Sequence, residues 1–266
     1  MRAIGIILAG GNNHRMKELT RKRATCAMPI AGCYRSIDFA LSNMTNSHIN
    51  KVAVLTQYNA GSLNEHLSSS KWWNFGRKQG GLSVFTPTIT ADSNVWYRGT
   101  ADAIAQNLAY LKSSHEPYVV ISSGDCVYKM DYNKVLEYHI DKKADITVVV
   151  KTMPAGFNVE RYGTVRMNED CRIEEFEEKP ISAKSNTISC GIYVVRRRLL
   201  IEMIERCAEE DRYDLVKDVL IRYDDMKNIY GYKMQEYWSN ISSVGDYFKT
   251  NMDFLKPEVR DYLFKQ

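Results

Sequence analysis

The sequence predicts an α/β fold, a mixed and mostly parallel sheet with helices on both faces. Three observations carry this. Strand-like and helix-like segments alternate through the first 150 residues, the rhythm of parallel strands joined by helical crossovers. The earliest strand is a continuous apolar run that stops at Gly10-Gly11, as expected of a strand buried on both faces. No internal repeat, low-complexity tract or clear linker interrupts the pattern.

Each element follows from its own pattern. Ala3–Ala9 reads as a buried strand, and Ser36–Ser47 has helical spacing through Ile37, Phe39, Leu41 and Met44. Lys51–Leu55 is a short apolar strand and Ala60–Leu67 a helix. In Thr100–Lys112 the residues Ala103, Ile104, Leu108 and Leu111 form one helical face, which predicts a single helix. Tyr118–Ser122 is a strand ending at Gly124, Tyr132–Lys142 a helix, and Ile146–Val150 a strand of mostly β-branched residues. From about Gly163 short strands dominate: Gly163–Met167, Ile173–Phe176 and Ser189–Val195. Helices follow at Arg198–Ala208 and Leu215–Tyr223, then a strand at Tyr230–Met234 and a last helix at Val244–Leu255. The chain is expected to be one domain over residues 1–266, in two halves that divide at about residue 150.

Composition narrows the function. Of 266 residues, 44% are hydrophobic and 26% charged, an ordinary soluble balance. Lys and Arg number 36 against 32 Asp and Glu, a net charge of +4 with no dense basic run. This speaks against nucleic acid and leaves room for a phosphate-bearing small ligand. None of the six cysteines forms a C-x-x-C pair, and no His or Cys cluster has zinc spacing. The thiols read as reduced and the protein as cytoplasmic. The first apolar run is too short for a membrane span.

Ligands of open α/β sheets bind beyond the carboxyl ends of the strands. Polar residues stand at four such ends: Gly10, Gly11 and Arg15; Gln57 and Tyr58; Gly124 and Asp125; Glu178 and Lys179. A Gly-Gly turn bares backbone N–H groups for phosphate oxygens, and an arginine beside it neutralises their charge.

At these residues the chain resembles a known family over essentially its whole length. The segments are LAGG with Arg15, PIAGCYRSIDFALSN (Pro29–Asn43), LTQY (Leu55–Tyr58), WYRGTADA (Trp96–Ala103), GDCVYKMDY (Gly124–Tyr132), EEKP (Glu177–Pro180), SCGIYV (Ser189–Val194) and NMDFL (Asn251–Leu255). They are similar to the catalytic domain of glucose-1-phosphate adenylyltransferase, or ADP-glucose pyrophosphorylase, a sugar nucleotidyltransferase. The resemblance implies a Rossmann-like, GT-A-like domain that joins ATP and glucose 1-phosphate into ADP-glucose and pyrophosphate with Mg²⁺. It implies that Gly10, Gly11 and Arg15 face the ATP phosphates, that Gln57, Gly99 and Thr100 face the adenine, and that Asp125 holds the metal. Gly163, Glu178, Lys179 and Ser189 would hold the sugar phosphate, so that residues 1 to about 150 would form the nucleotide-binding half and about 151–266 the sugar-phosphate half. The family's C-terminal left-handed β-helix has no counterpart before Gln266, where no hexapeptide period is found.

The chain departs from the family where the chemistry lies. The turn G-G-x-G-x-R-L has Asn13 for its last glycine and Met16 for its leucine. R-A-K-P becomes Arg23-Ala24-Thr25-Cys26, without the lysine, and Y-W-R-D-V-G-T becomes Tyr237 through Ser243 with Asn240 for the aspartate that is the second metal carboxylate. Mg²⁺ prefers carboxylates, so its binding is expected to be weak or lost. The Asn13 side chain is expected to crowd the phosphates. Such a profile resembles the GlgD branch, the regulatory, weakly catalytic partner of a catalytic paralogue in glycogen biosynthesis. Two other readings are an active enzyme and a sugar-phosphate or nucleotide sensor acting through a partner. No nucleic-acid or membrane partner is expected.

Overall fold

A computed structural model describes residues 2–75, 80–88, 96–223 and 228–265. The predicted sheet is present. It is mixed, mostly parallel and nine-stranded, running β10 (Ile173–Glu178), β9 (Gly163–Met167), β11 (Thr187–Arg196), β6 (Tyr118–Ser123), β1 (Ala3–Ala9), β4 (Lys51–Thr56), β5 (Gly81–Phe85), with β8 (Ile146–Thr152) paired to β11 and β12 (Ile229–Lys233) paired to β8. Residues divide between two compact units, neither of them continuous in sequence.

One unit comprises Gly5–Pro87, Ser122–Tyr132 and Glu236–Gln266. Here β1 (Ala3–Ala9) pairs in parallel with β4 (Lys51–Thr56), and β4 with β5 (Gly81–Phe85). Between β1 and β4 lie a small hairpin of β2 (Pro29–Ile30) and β3 (Tyr34–Arg35), and helix α1 (Ser36–Asn46). Ile37, Leu41 and Met44 of α1 are fully buried, and Met44 Sδ lies where a side chain on Gly5 would stand, 2.8 Å from an added Cβ. Helix α2 (Gly61–Ser68) buries Leu63 and Leu67. The end of β6 (Tyr118–Ser123) leads into β7 (Cys126–Tyr128), which pairs antiparallel with β13 (Trp238–Asn240). Helices α7 (Val244–Asp253) and α8 (Pro257–Phe264) close the unit over a core of Met16, Met28, Ile30, Phe39, Val127, Ile241, Phe254 and Leu263.

The other unit comprises Met1–Ile4, Thr88–Ile121 and Asn133–Gln235. Strands β8 (Ile146–Thr152), β9 (Gly163–Met167), β10 (Ile173–Glu178) and β11 (Thr187–Arg196) pair antiparallel, while β12 (Ile229–Lys233) runs parallel to β8. Helices α5 (Tyr132–Asp141) and α6 (Arg197–Glu209) belong to this part of the chain; α6 buries Leu200, Met203, Ile204 and Cys207 along one stripe.

Three readings need correction. The single helix expected over Thr100–Lys112 is two, α3 (Thr100–Gln106) and α4 (Leu108–Lys112). Asn107 breaks it, its amide bonding back to Ala103 O and across to Tyr97 OH, the local competition that makes Asn a poor helix-interior residue. The segment Leu215–Leu220 is a π-helix followed by a 3₁₀ turn rather than one α-helix. Strand β5, the β7–β13 pair and α8 had no sequence expectation, because they are too short or lack a clean period.

Candidate functional site

The expected residues fall into groups, each lying within one unit. In the first unit, β1 and β4 are in register at Ala9 and Thr56, so the residues just beyond them meet. A Cβ on Gly10 would lie 3.3 Å from Gln57 Cβ, whereas one on Gly11 would enter open space. Neither glycine has the left-handed backbone that demands glycine. The close approach to Gln57 is what restricts position 10.

Asn13 is the knot of the turn. Its Oδ1 accepts from Arg15 N at 3.1 Å, and its carbonyl accepts from Met16 N at 3.1 Å and from Thr20 Oγ1 at 3.3 Å. Its Nδ2 donates to Ser242 O at 3.0 Å and to Ile241 O at 3.4 Å. The Arg15 side chain is exposed. Thr25 is buried, and its hydroxyl has no hydrogen-bond partner among the described residues.

Asp125 follows β6 after Gly124, whose N–H bonds to Leu8 O at 3.0 Å. The Ser36 hydroxyl bonds Gly124 O and Cys26 O, fixing the strand end. Asp125 Oδ1 accepts from Ser123 Oγ at 2.6 Å and from Asn240 Nδ2 at 3.0 Å, with Cys126 Sγ at 3.6 Å. The β7–β13 register sets Asn240 opposite Cys126, and the Asn240 nitrogen also reaches Cys126 Sγ at 3.2 Å. Burial pushes the Cys26 thiol well up, and the Asp125 charge adds to it, so this sulfur stays protonated. The pair does not fit a protein-held Mg²⁺. It offers one carboxylate, already supplied with donors, and an amide that presents N–H rather than oxygen to it. Among the described residues no group of three or more His, Cys, Asp or Glu could hold a metal.

In the second unit Gly163 stands opposite Glu178 on the β9–β10 ladder. A Cβ there would come within 2.7 Å of Phe176 Cε2 and 2.9 Å of Glu178 Oε2, so the glycine makes room for that carboxylate. Glu178 Oε1 pairs with Lys179 Nζ at 2.9 Å. Lys179 has a left-handed backbone, φ +50°, with its N–H on Tyr162 O at 3.1 Å, an uncommon conformation for a side-chain-bearing residue. The ammonium is left mostly exposed.

Ser189 lies on β11, where the pairing with β8 shifts before Tyr193 and Gly191 takes φ +71°, the geometry of a bulge that re-aims side chains. Ser189 Oγ bonds the Tyr193 hydroxyl at 3.2 Å. Burial raises the Tyr193 pKa, with the Glu178 and Asp214 charges adding to it, so the phenol stays neutral. Sequence reasoning gave Tyr193 no role, although it stands within SCGIYV four residues after Ser189. No spacing in the sequence signals the pair, because residues four apart on a regular strand lie about 13 Å from each other and the shift in β11 is what brings these two together.

Gly99 and Thr100 have a packing role in the structure. A Cβ on Gly99 would meet Tyr213 O at 2.3 Å. Ala101 N bonds the same carbonyl at 2.8 Å, and Thr100 Oγ1 accepts from Leu215 N at 2.9 Å. Arg98 lies over the Tyr213 ring, 3.9 Å from its centroid, and bonds buried Asp102. WYRGTADA thus seats the 213–215 turn.

Comparison with known proteins gives the family. The Nucleotidyl transferase family matches residues 4–257. The chain is 40% identical over 255 residues to the glucose-1-phosphate adenylyltransferase of Clostridium novyi (strain NT), covering 95% of this chain and 66% of that one. It is 40% identical over 260 residues to that of Bacillus anthracis, 97% against 69%, and 41% identical over 258 residues to that of Bacillus cytotoxicus, 96% against 68%. The chain therefore spans about two thirds of the length of these relatives. With a family match over nearly its whole length and this level of identity, the chain belongs to the glucose-1-phosphate adenylyltransferase (ADP-glucose pyrophosphorylase) family of nucleotidyl transferases.

Proposed function

We propose that the chain is a regulatory or weakly catalytic subunit of a glucose-1-phosphate adenylyltransferase in glycogen biosynthesis, of the GlgD kind, working in the cytoplasm beside a catalytic paralogue. In the family reaction the sugar phosphate oxygen attacks the α-phosphate of ATP and pyrophosphate leaves. The observation that carries the regulatory reading is the Asn240–Asp125 hydrogen bond. An amide stands where the reaction calls for a second carboxylate, and Asp125 spends its Oδ1 on internal donors. Thr25 brings no charge to the phosphates. Losing an electrostatic partner of the transition state typically costs about 10²–10³ in rate.

The sugar-phosphate group is equipped to bind. Lys179 offers an exposed ammonium for the phosphate. Glu178 is an acceptor for sugar hydroxyls, and Ser189 with Tyr193 supplies neutral hydroxyls. Gly10, Gly11 and Arg15 would face the nucleotide phosphates and Gln57 the base. Mg²⁺ is the ion of the family, and the Asp125–Asn240 pair as it stands does not fit it. Among the described residues no helix is long and apolar enough to cross a membrane. The second reading, an active enzyme, is favoured by the identity to relatives named for the activity.

The test is pyrophosphate release from ATP and glucose 1-phosphate with Mg²⁺, run on this chain and on an intact relative cut to the same span. The chain is expected to turn over at least about a hundredfold more slowly. Comparable turnover would establish the active-enzyme reading instead.

A further inference from the structure

Asn13 stands at the centre of the turn that the adenylyl-transfer reading assigns to the nucleotide phosphates, and the inference rests on that reading. The side chain was expected to point at the phosphates and crowd them. In the structure it is turned elsewhere and fully used. Its oxygen takes the Arg15 N–H, and its nitrogen reaches the carbonyls of Ser242 and Ile241, more than two hundred residues on. Those carbonyls belong to the segment directly after Asn240, and Ile241 N is itself bonded to Asp125 O at 2.9 Å. One carboxamide therefore ties the Gly-Gly turn to the segment that carries the Asp125–Asn240 pair.

We infer that Asn13 is an intramolecular latch that holds this turn shut, so that a nucleotide polyphosphate binds only when the carboxamide lets go of Ser242, Ile241 and Arg15. Three features distinguish a latch from an inert side chain. Donor and acceptor ends of the group are both engaged, so its orientation is fixed. Both carbonyl partners are backbone atoms, so ordinary substitution around them leaves the bonds in place. The side chains of the next residues, His14 and Arg15, are exposed, and beyond the carboxamide the hold on the turn comes from the Met16 and Thr20 bonds to the Asn13 carbonyl and from the buried Met16 side chain. A ligand that binds only the open form has its apparent affinity reduced by the fraction of chains that are open. Removing the latch then tightens binding without adding a contact.

The experiment is calorimetric titration with ATP, and separately with inorganic tripolyphosphate, on the unmodified chain, Asn13→Ala and Asn13→Gly. Hydrogen exchange at the Arg15 amide is followed on the same proteins. Two or three net hydrogen bonds correspond to about a tenfold change or more in the open fraction. Both variants are expected to bind ATP and tripolyphosphate about tenfold more tightly or better, and the Arg15 amide to exchange faster in both. Tighter binding by Asn13→Gly alone would mean that the Cβ obstructs the ligand, and overturns the latch. Weaker binding by both would mean that the side chain pre-forms the turn, and also overturns it. Equal ATP binding by all three chains overturns the latch while leaving the adenylyl-transfer reading standing. Binding of neither ligand by any chain ends both.

Discussion

Asn240 donates an amide hydrogen bond to Asp125 Oδ1 across the short β7–β13 pair, at 3.0 Å. An amide opposite a carboxylate is self-sufficient, donor to acceptor, and requires no cation to hold it together. Two carboxylates in these places would repel and need a cation or a proton to share.

Asn240→Asp converts this into a sharp expectation. Without divalent ions the variant should be less stable than the parent by about 1–2 kcal/mol, since a hydrogen bond becomes a like-charge contact. Millimolar Mg²⁺ should restore the loss and raise turnover, while the parent's melting temperature stays the same in Mg²⁺ and in EDTA. Thermal melts of both proteins in each buffer decide it. A variant indifferent to Mg²⁺ would show that position 240 does not face a metal.

Lys179→Ala tests the sugar-phosphate group. The Lys179 side chain is 62% exposed while its partner Glu178 is only 12% exposed, so unfolding stability should change by about 1 kcal/mol or less. Affinity for glucose 1-phosphate should fall at least about tenfold, the size of one charge-assisted hydrogen bond. Calorimetry on the two proteins reads both the loss and, by its absence, a wrong assignment of Lys179.

Glycines 11 and 99 should respond very differently to alanine. An added Cβ at Gly11 meets no atom within 4 Å, while at Gly99 it lands 2.3 Å from the Tyr213 carbonyl. Backbone on both sides leaves little room to give. Gly99→Ala should cost about 2–4 kcal/mol and Gly11→Ala less than about 1 kcal/mol. Urea unfolding of both variants checks the contrast, and equal losses would contradict the packing described.

His139 sets the acid limit of stability. It is buried, its Nδ1 bonds Thr147 Oγ1 at 2.8 Å, and its Nε2 has no partner among the described residues. Burial, then the nearby Arg196 charge, lowers its pKa from 6.5 to about 4. The folded state thus holds the neutral ring. Its contribution is complete above about pH 6.5 and is lost as the pH falls from there toward about 4, a change of the order of 3 kcal/mol. Urea midpoints between about pH 7.5 and pH 4.5 should fall along this curve, and His139→Gln should flatten it. A variant with the parent's slope would place the titration elsewhere.

Much of the fold was legible because its central strands are uniform apolar runs. Ala3–Ala9 matches β1 at both ends, and Lys51–Leu55 misses β4 by one residue. What was not legible depends on distant partners. Strand β5 exists through its parallel register with β4, and β7 with β13 through a pairing of residues more than a hundred positions apart. In the site, the motifs named Asp125 and Asn240, and the structure supplied their bond. The carbonyls that Asn13 holds carry no side-chain signature, so no pattern in the sequence could announce them. Tyr193 was visible as a residue but not as the partner of Ser189, because the shift in β11 that brings them together is a backbone event.

The contact of Gly99 with the Tyr213 carbonyl reaches beyond this chain. A residue fixed by such a contact is kept by architecture alone, and selection for folding preserves it after selection for turnover has relaxed. WYRGTADA would then persist in an inactive copy as faithfully as in an enzyme. Ancestry is what that motif certifies. Under the regulatory reading, positions such as 25 and 240, where the reaction and not the packing makes the demand, would be the better markers for sorting working members of a lineage from those that have changed occupation.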